Sequence, residues 1–200
     1  PKPIFSNTRR LSNNVQKPIR IMMRAKAFGQ VLSGLDVTYP YNGNNITQQV
    51  QFHYGSQKEL NAFISAKQQN NEEPVPLIWY VRDTYTEYNG WSDVRARFIL
   101  FMSTEPFWFN DTRTDETYTK VLEPLFIKFK ERLLSNPYIQ VLGDTNKKFD
   151  ALDEPNFGVS TSDNSDFTHT SPKEEKGITI IPVDAKVVDC HVKINTECII

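Results

Sequence analysis

Alternation of apolar and polar residues along the chain predicts the strands of a β-sheet. From Ile46 to Tyr54, Val50, Phe52 and Tyr54 alternate with polar neighbours, which is the period of a half-buried strand. The continuous apolar run from Leu77 favours a strand that is covered on both faces. The same reading predicts strands at residues 77–82, 93–103, 138–142, 178–181 and 185–194.

Helical spacing and capping signals predict two helices. Ser56 followed three residues later by Glu59 is a capping box, because the two side chains satisfy free N–H groups of a first helical turn. The first helix therefore begins there and ends before Pro74. A longer helix is predicted from Asp115 to Leu134, with an interruption at Pro124, which lacks a backbone donor and crowds the preceding turn.

The order of these elements predicts an α+β fold, with an antiparallel sheet covered by two helices. Asn89 and Gly90 form a strong hairpin turn signal between two of the strands. The polar run from Asp144 to Gly177 is too long for an ordinary connection, so it is either disordered or ordered by something outside the domain. The predicted organisation is a basic N-terminal arm at 1–45, an α+β core at 46–142, a long polar loop at 143–177 and C-terminal strands at 178–200 that complete the sheet.

The composition indicates a folded chain, and the charged residues are distributed unevenly along it. Leu, Ile, Val and Phe make up 54 of the 200 residues, enough to form a core. The longest apolar runs hold about five residues, whereas a membrane helix needs roughly 20. Residues 1–35 carry seven cations and no acid, although the whole chain has a formal charge of -1. The remaining 165 residues therefore sum to -8, which predicts a basic arm on an acidic body.

The basic arm has three possible interpretations. It is a solvated or protein-docked arm, a sequence-independent contact to nucleic-acid phosphates, or a targeting segment, since Arg-rich and acid-free starts also occur in transit peptides. The arm contains no recognition helix or zinc finger, and its aromatic residues are few. In a self-assembling protein, such an arm would also suit the acidic body of a neighbouring copy.

Catalytic and metal-binding signals are weak, so the sequence predicts no enzyme, no catalytic residue, no cofactor and no metal. Cys190 and His191 are neighbours in a predicted strand, so their side chains point to opposite faces and do not form a catalytic pair. Asp163, Asp166 and His169 are a metal cluster by composition only, and a polar surface loop is the better interpretation.

The aromatic segment around Trp108 is the densest candidate for binding. Phe107, Trp108 and Phe109 stand between a predicted strand and the long helix, where they form either a lid over the core or an anchor for a partner. The aromatic group Tyr80, Tyr85, Tyr88 and Trp91 at the hairpin has the same two interpretations.

The central stretch, residues 46–142, resembles the tail-completion or tail-terminator proteins of tailed bacteriophages. The resemblance is carried by four segments: QFHYGS at 51–56 leading into Glu59-Leu60, PLIWY at 76–80, FWFND at 107–111 and YTKVLEPL at 118–125. It implies a small α+β domain that assembles into a ring of six or twelve subunits at the head-to-tail connector, or neck, of the virion. It also implies portal, adaptor or tail proteins as neighbours, and a channel through which DNA passes without sequence-specific binding.

The sequence thus leads to an expected function and an alternative. The expected function is a structural virion protein, made in the host cytoplasm and free of membrane association. Its expected partner-binding residues are Arg9, Arg10, Arg20, Arg24, Lys26, Phe107, Trp108 and Phe109. The alternative is an accessory protein that binds nucleic acid through residues 1–35.

Overall fold

The computed structural model describes residues 17–41, 44–69, 76–104, 108–144, 148–157 and 183–195. The predictions on residues 1–16, on 158–182 and on Phe107 lie outside these ranges. The helices are α1 (Lys17–Leu32), α2 (Gln57–Gln69), α3 (Asn110–Arg113), a π-helix (Thr114–Leu122) and α4 (Glu123–Ser135). The strands are β1 (Asp36–Tyr41), β2 (Asn44–Gln49), β3 (Gln51–Tyr54), β4 (Leu77–Tyr88), β5 (Trp91–Ser103), β6 (Ile139–Val141), β7 (Phe149–Phe157) and β8 (Val183–Asn195).

The α+β class is confirmed, but the main sheet is mixed rather than antiparallel. Its strand order is β3-β4-β5-β8, and β6 and β7 both pair with the remaining edge of β8. β3 and β4 run parallel, with Gln51 opposite Leu77 and Tyr54 opposite Tyr80. The helix α2 connects them, and a helical crossover returns the chain in the same direction, which a tight hairpin does not.

The prediction that a helix begins at the Ser56–Glu59 capping box is confirmed. The Ser56 backbone N–H donates to Glu59 Oε2 at 2.6 Å, and the Glu59 N–H donates to Ser56 Oγ at 3.3 Å. The hairpin prediction is also confirmed, since Asn89 (φ 41°) and Gly90 (φ 77°) both adopt the left-handed conformation between paired Tyr88 and Trp91. Two-residue turns of this kind match the twist of the strands that they join.

Helices cover both faces of the sheet, not one. Phe98 of β5 contacts Phe28 of α1 at 4.9 Å and Phe129 of α4 at 5.0 Å between ring centroids, so α1 and α4 share one face. On the other face α2 places Leu60 in a smaller cluster with Trp79 of β4. The two-helix cover expected from the sequence is therefore wrong, because residues 17–32 supply a further helix.

The description of residues 1–45 as an arm is wrong for the part that the structure describes. In α1, Phe28 is 0% exposed, and Leu32 is buried beside it. The hairpin of β1 and β2 follows, and its Val37 and Tyr39 belong to the same core. Lys128 of α4 donates to the Asp36 carbonyl at 2.8 Å, which fastens the hairpin to the helix. This stretch is part of the domain because its apolar side chains complete the core.

The long helix passes Pro124 by changing its geometry. The Glu123 N–H donates to the Tyr118 carbonyl, five residues earlier, at the end of the π-helix. Pro124 then stands in the first turn of α4. A proline offers no N–H and its ring crowds the carbonyl four residues before it, so the wider π turn relieves both problems.

Two further strand predictions need correction. The predicted strand 46–54 is divided at Val50, whose N–H donates to the Leu35 carbonyl, so β2 pairs with β1 and β3 with β4.

The polar loop predicted at 143–177 contains a strand near its start. This strand, β7, pairs with β8 from Phe149 opposite Cys190 to Phe157 opposite Val183. Most β7 side chains are exposed, so the strand has no alternating apolar pattern.

Candidate functional site

The structure separates the basic residues that were expected to bind partners. Arg9 and Arg10 lie outside the described residues, and Arg20 lies in α1 with its side chain outside the description. Lys26 is exposed on α1, whereas Arg24 is 1% exposed. Only Lys26 of this group is thus shown on the surface.

Arg24 is used inside the fold. Its guanidinium carbon lies 3.5 Å from the centre of the Tyr85 ring, and Nη1 lies 3.6 Å from Glu87 Oε1. A desolvated guanidinium on an aromatic face is stabilised by the ring and loses that contact if it turns outward. The aromatic residues at the hairpin also differ in burial. Tyr80 is a core residue and Tyr85 packs against the core, whereas Tyr88 is exposed. Arg24 therefore joins α1 to β4, and its burial argues against a contact with an external partner.

The aromatic segment presents one residue fully to solvent. Trp108 is half-buried, and Phe109 is 84% exposed. Asp111 and Asp115 follow on the first turns of the long helix, and both are exposed. We call Phe109, Asp111 and Asp115 the Phe109 corner.

A buried ion pair holds this corner in place. Arg113 Nη1 donates to Asp184 Oδ1 at 2.6 Å and to Thr104 Oγ1 at 2.9 Å, and Arg113 Nε donates to the Trp108 carbonyl at 3.0 Å. Arg113 and Asp184 are 3% and 0% exposed. The guanidinium thus connects the start of the helix to the end of β5 and the start of β8. Because its contacts involve three chain segments, the backbone that carries Phe109 has a fixed position.

The part of the sheet that α2 leaves uncovered forms an open groove of about 460 Å³. It lies over the middle of β5 and β8, and Leu142, Gly143 and Lys148 also line it. The charged and titratable side chains that line it are Arg95, Arg97, Lys148, Asp150, Asp189 and His191. We call it the β5–β8 groove.

Strand register decides which of these charges are already paired. Arg97 stands opposite Asp189 and donates to both of its carboxylate oxygens, at 2.8 and 2.6 Å. The bonds to Asp189 raise the pKa of Arg97. His191 binds Asp93 on the neighbouring strand. Within the described residues, Arg95, Lys148 and Asp150 form no ion pair, so the open charge of the groove is two cations and one carboxylate.

Cys190 and His191 lie on opposite faces, as the strand period predicts. Cys190 is buried in the core below α4, while His191 lines the groove. Burial, together with the neighbouring Asp189, raises the pKa of the Cys190 thiol to about 12. A protonated buried thiol does not act as a nucleophile at neutral pH. The expected metal cluster at Asp163, Asp166 and His169 lies outside the described residues, and the described ones contain no group of three or more metal-ligating side chains.

The β5–β8 groove has no signal in the sequence. Arg95 and Arg97 were visible as polar positions on a strand whose other face is apolar, but the residues that complete the groove come from β7 and β8, about fifty and ninety positions later along the chain. Strand pairing brings these residues together, and the sequence of β7 has no alternation of apolar residues that would predict its pairing.

Among the described residues, no helix has the length and apolar character needed to cross a membrane.

No protein-family model matches the chain, and no curated protein is significantly similar to it. Its function therefore has to be inferred from the fold and from the chemistry of the Phe109 corner and the β5–β8 groove.

Proposed function

We propose that the chain is a structural virion protein, one subunit of a ring in the head-to-tail connector of a tailed bacteriophage. In this role it joins portal-side proteins to the tail around a channel for DNA, and it performs no catalysis. The proposal begins from the resemblance of residues 46–142 to tail-terminator proteins. The α+β fold is compatible with that resemblance.

The observation that carries the proposal is the presentation of Phe109. A phenylalanine left in solvent forgoes about 1.5–3 kcal/mol of burial free energy, so folding alone gives no reason for it. Its support is rigid, because Arg113 binds the preceding carbonyl and a buried carboxylate. Rigid aromatic residues are the usual anchors of protein interfaces. Phe109 is thus suited to bind another protein chain.

The ends of the sheet provide further surface for contacts. β3 forms one end of the sheet, and β6 and β7 form the other; within the described residues none of these strands has a partner on its outer edge. Leu152 of β7 is 61% exposed, and Tyr54 of β3 is 45% exposed. An unpaired edge offers N–H and C=O groups to a neighbouring chain. Since the two edges differ, a contact between them is head-to-tail, which is the kind that builds a closed ring.

The alternative function, nucleic-acid binding through residues 1–35, has less support from the described part of the arm. A phosphate contact needs cations on the surface. Arg24 is instead buried against Tyr85, and the apolar face of α1 is packed into the core. Lys26 is the remaining exposed cation among the arm side chains that the structure describes.

The proposal is tested by the assembly state of the purified chain. We expect sedimentation velocity to show a closed oligomer and electron microscopy to show rings. Phe109→Ser should shift the protein toward monomer while leaving thermal unfolding unchanged, because the side chain is exposed. Leu134→Ser, which removes an apolar side chain 51% exposed on α4, is the matched control and should still assemble. A wild-type chain that stays monomeric at every concentration contradicts the proposal.

A further inference from the structure

We infer that the β5–β8 groove is the receptor for the Phe109 corner of a second copy of this chain. The inference rests on the proposed function and deepens it, since it names the two surfaces of the contact between subunits. Both surfaces belong to the described residues.

The groove has cations without carboxylate partners. Arg95 and Lys148 line it, and within the described residues neither forms an ion pair. Two carboxylates also line the groove: Asp189 is already bound through both oxygens by Arg97, and Asp150 forms no ion pair within the described residues. An incoming carboxylate therefore finds two available cations.

The Phe109 corner carries the matching charge. Asp111 and Asp115 are exposed and four positions apart, so they lie near each other on the helix surface. The next acid, Glu116, is bound by Lys120, but neither Asp111 nor Asp115 has an ion pair among the described residues. Two carboxylates without an ion pair beside an exposed phenylalanine thus complement a groove whose unpaired charge is two cations and one carboxylate.

The groove is large enough for this occupant. Its volume of about 460 Å³ lies within the range of roughly 300–1,000 Å³ that accommodates whole small ligands. Leu142 and Gly143 contribute apolar surface beside the charged groups. An aromatic side chain flanked by carboxylates fits that combination of apolar surface and cations.

The two surfaces are far apart, as a ring requires. Asp184, which binds Arg113 at the start of the long helix, lies on the same face of β8 as Val188, whereas Asp189 and His191 lie on the opposite face. At about 3.3 Å per residue, Asp184 and His191 are roughly 23 Å apart along the strand. One subunit can therefore use its corner and its groove at the same time, with two different neighbours. Such a contact is head-to-tail, and it forms a ring when the rotation between neighbouring copies closes.

A nucleic-acid backbone is the competing occupant of a cationic groove, and the groove suits it less well. Asp150 stands opposite Asp189 on adjacent strands, so two carboxylates lie within the lining. A continuous row of phosphates would be repelled there. The Phe109 corner, in contrast, can turn its two carboxylates toward Arg95 and Lys148. Charge complementarity thus favours a second copy of the chain.

The test is a reciprocal charge reversal on the full chain. The groove variant is Arg95→Glu/Lys148→Glu, and the corner variant is Asp111→Lys/Asp115→Lys. Each alone should associate about a hundredfold more weakly than wild type or worse, because like charges then face each other. An equimolar mixture should assemble again, since each reversed groove meets a reversed corner and each native groove a native corner. The control Lys58→Glu/Arg132→Glu makes the same change in net charge as the groove variant, at exposed sites elsewhere, and should assemble normally.

The outcomes separate this inference from the proposed function. If wild type forms rings and both reversed variants also do, the groove inference is overturned and the ring proposal stands. The same holds if the variants stay dissociated after mixing while circular dichroism shows them folded. If the groove variant assembles but loses affinity for a short DNA duplex, nucleic acid is the occupant and the inference is overturned. A monomeric wild type overturns both.

Discussion

Arg113 and Asp184 form an ion pair that is almost completely removed from solvent, with 2.6 Å between Nη1 and Oδ1. Arg97 and Asp189 form a second pair at the same 2.6 Å separation, but each of these side chains is nearly half exposed. The distances are equal and the environments are not. Because water screens the exposed pair, and because a buried charge depends on its partner, the two pairs contribute very differently to stability.

Removal of Arg113 should therefore destabilise the domain severely. Arg113→Met leaves the Asp184 charge in the interior without the guanidinium, and we expect a loss of about 3–5 kcal/mol in the free energy of unfolding. Arg97→Met at the exposed pair is the matched control, with an expected loss of at most about 1 kcal/mol. Urea unfolding followed by tryptophan fluorescence measures both. The double variant Arg113→Met/Asp184→Leu should recover much of the loss, and equal losses in the two single variants would contradict this account.

Arg24 and Lys26 give a second contrast, since they stand two residues apart in the same helix. Arg24→Met removes a guanidinium that is packed on Tyr85, with an expected cost of about 2 kcal/mol or more. Lys26→Met changes an exposed side chain and should alter stability by less than about 0.5 kcal/mol. Thermal unfolding of the two variants, which have the same net charge, decides the point. If both unfold like the wild type, Arg24 has no structural role and remains a candidate for external binding.

The features that the sequence predicted correctly are those encoded within a few residues. The Ser56–Glu59 cap and the Asn89-Gly90 turn depend on local hydrogen bonds and backbone preference, so neither needs knowledge of the rest of the chain. Cys190 and His191 were assigned to opposite faces from the strand period alone.

The features that the sequence did not reveal depend on contacts between distant segments. The burial of Arg24 depends on Tyr85, about sixty residues away, and a count of cations gives no sign of it. β7 packs few apolar side chains, so its pairing with β8 left no periodic signal. The β5–β8 groove depends on that same pairing, which is why Arg95 and Lys148 were not recognised as one site.

Cys190 should be inert in the native protein. With a pKa raised from 9.0 to about 12, the thiolate fraction at neutral pH is reduced on the order of a thousandfold, in addition to the steric protection of burial. In a Cys198→Ser background, Ellman's reagent should label Cys190 slowly in buffer and rapidly in urea. The same shift adds stability that is fully present below pH 9 and is lost as the pH rises toward 12. Rapid labelling of the folded protein would refute the burial of this thiol.

His53 should make the stability depend on pH near neutrality. Its ring lies 4.6 Å from that of Phe63 and 6.0 Å from that of Trp79, measured between centroids. Burial, assisted by the positive charge of Lys67, lowers the pKa of His53 below 6.5. The unfolded chain therefore binds a proton more readily than the folded one, so the contribution is fully present above pH 6.5 and is lost as the pH falls through the folded pKa.

Urea unfolding at pH 7.5 and pH 5.5 measures this effect of His53, since both values lie above the ordinary pKa of carboxyl groups. The wild type should be less stable at pH 5.5. His53→Phe keeps a ring against Phe63 and Trp79 but cannot titrate, so its two unfolding free energies should differ less than those of the wild type. An NMR titration of the His53 ring would locate the folded pKa directly. A value at or above 6.5, or an unchanged pH dependence in His53→Phe, would show that Phe63 and Trp79 do not exclude water from the imidazole.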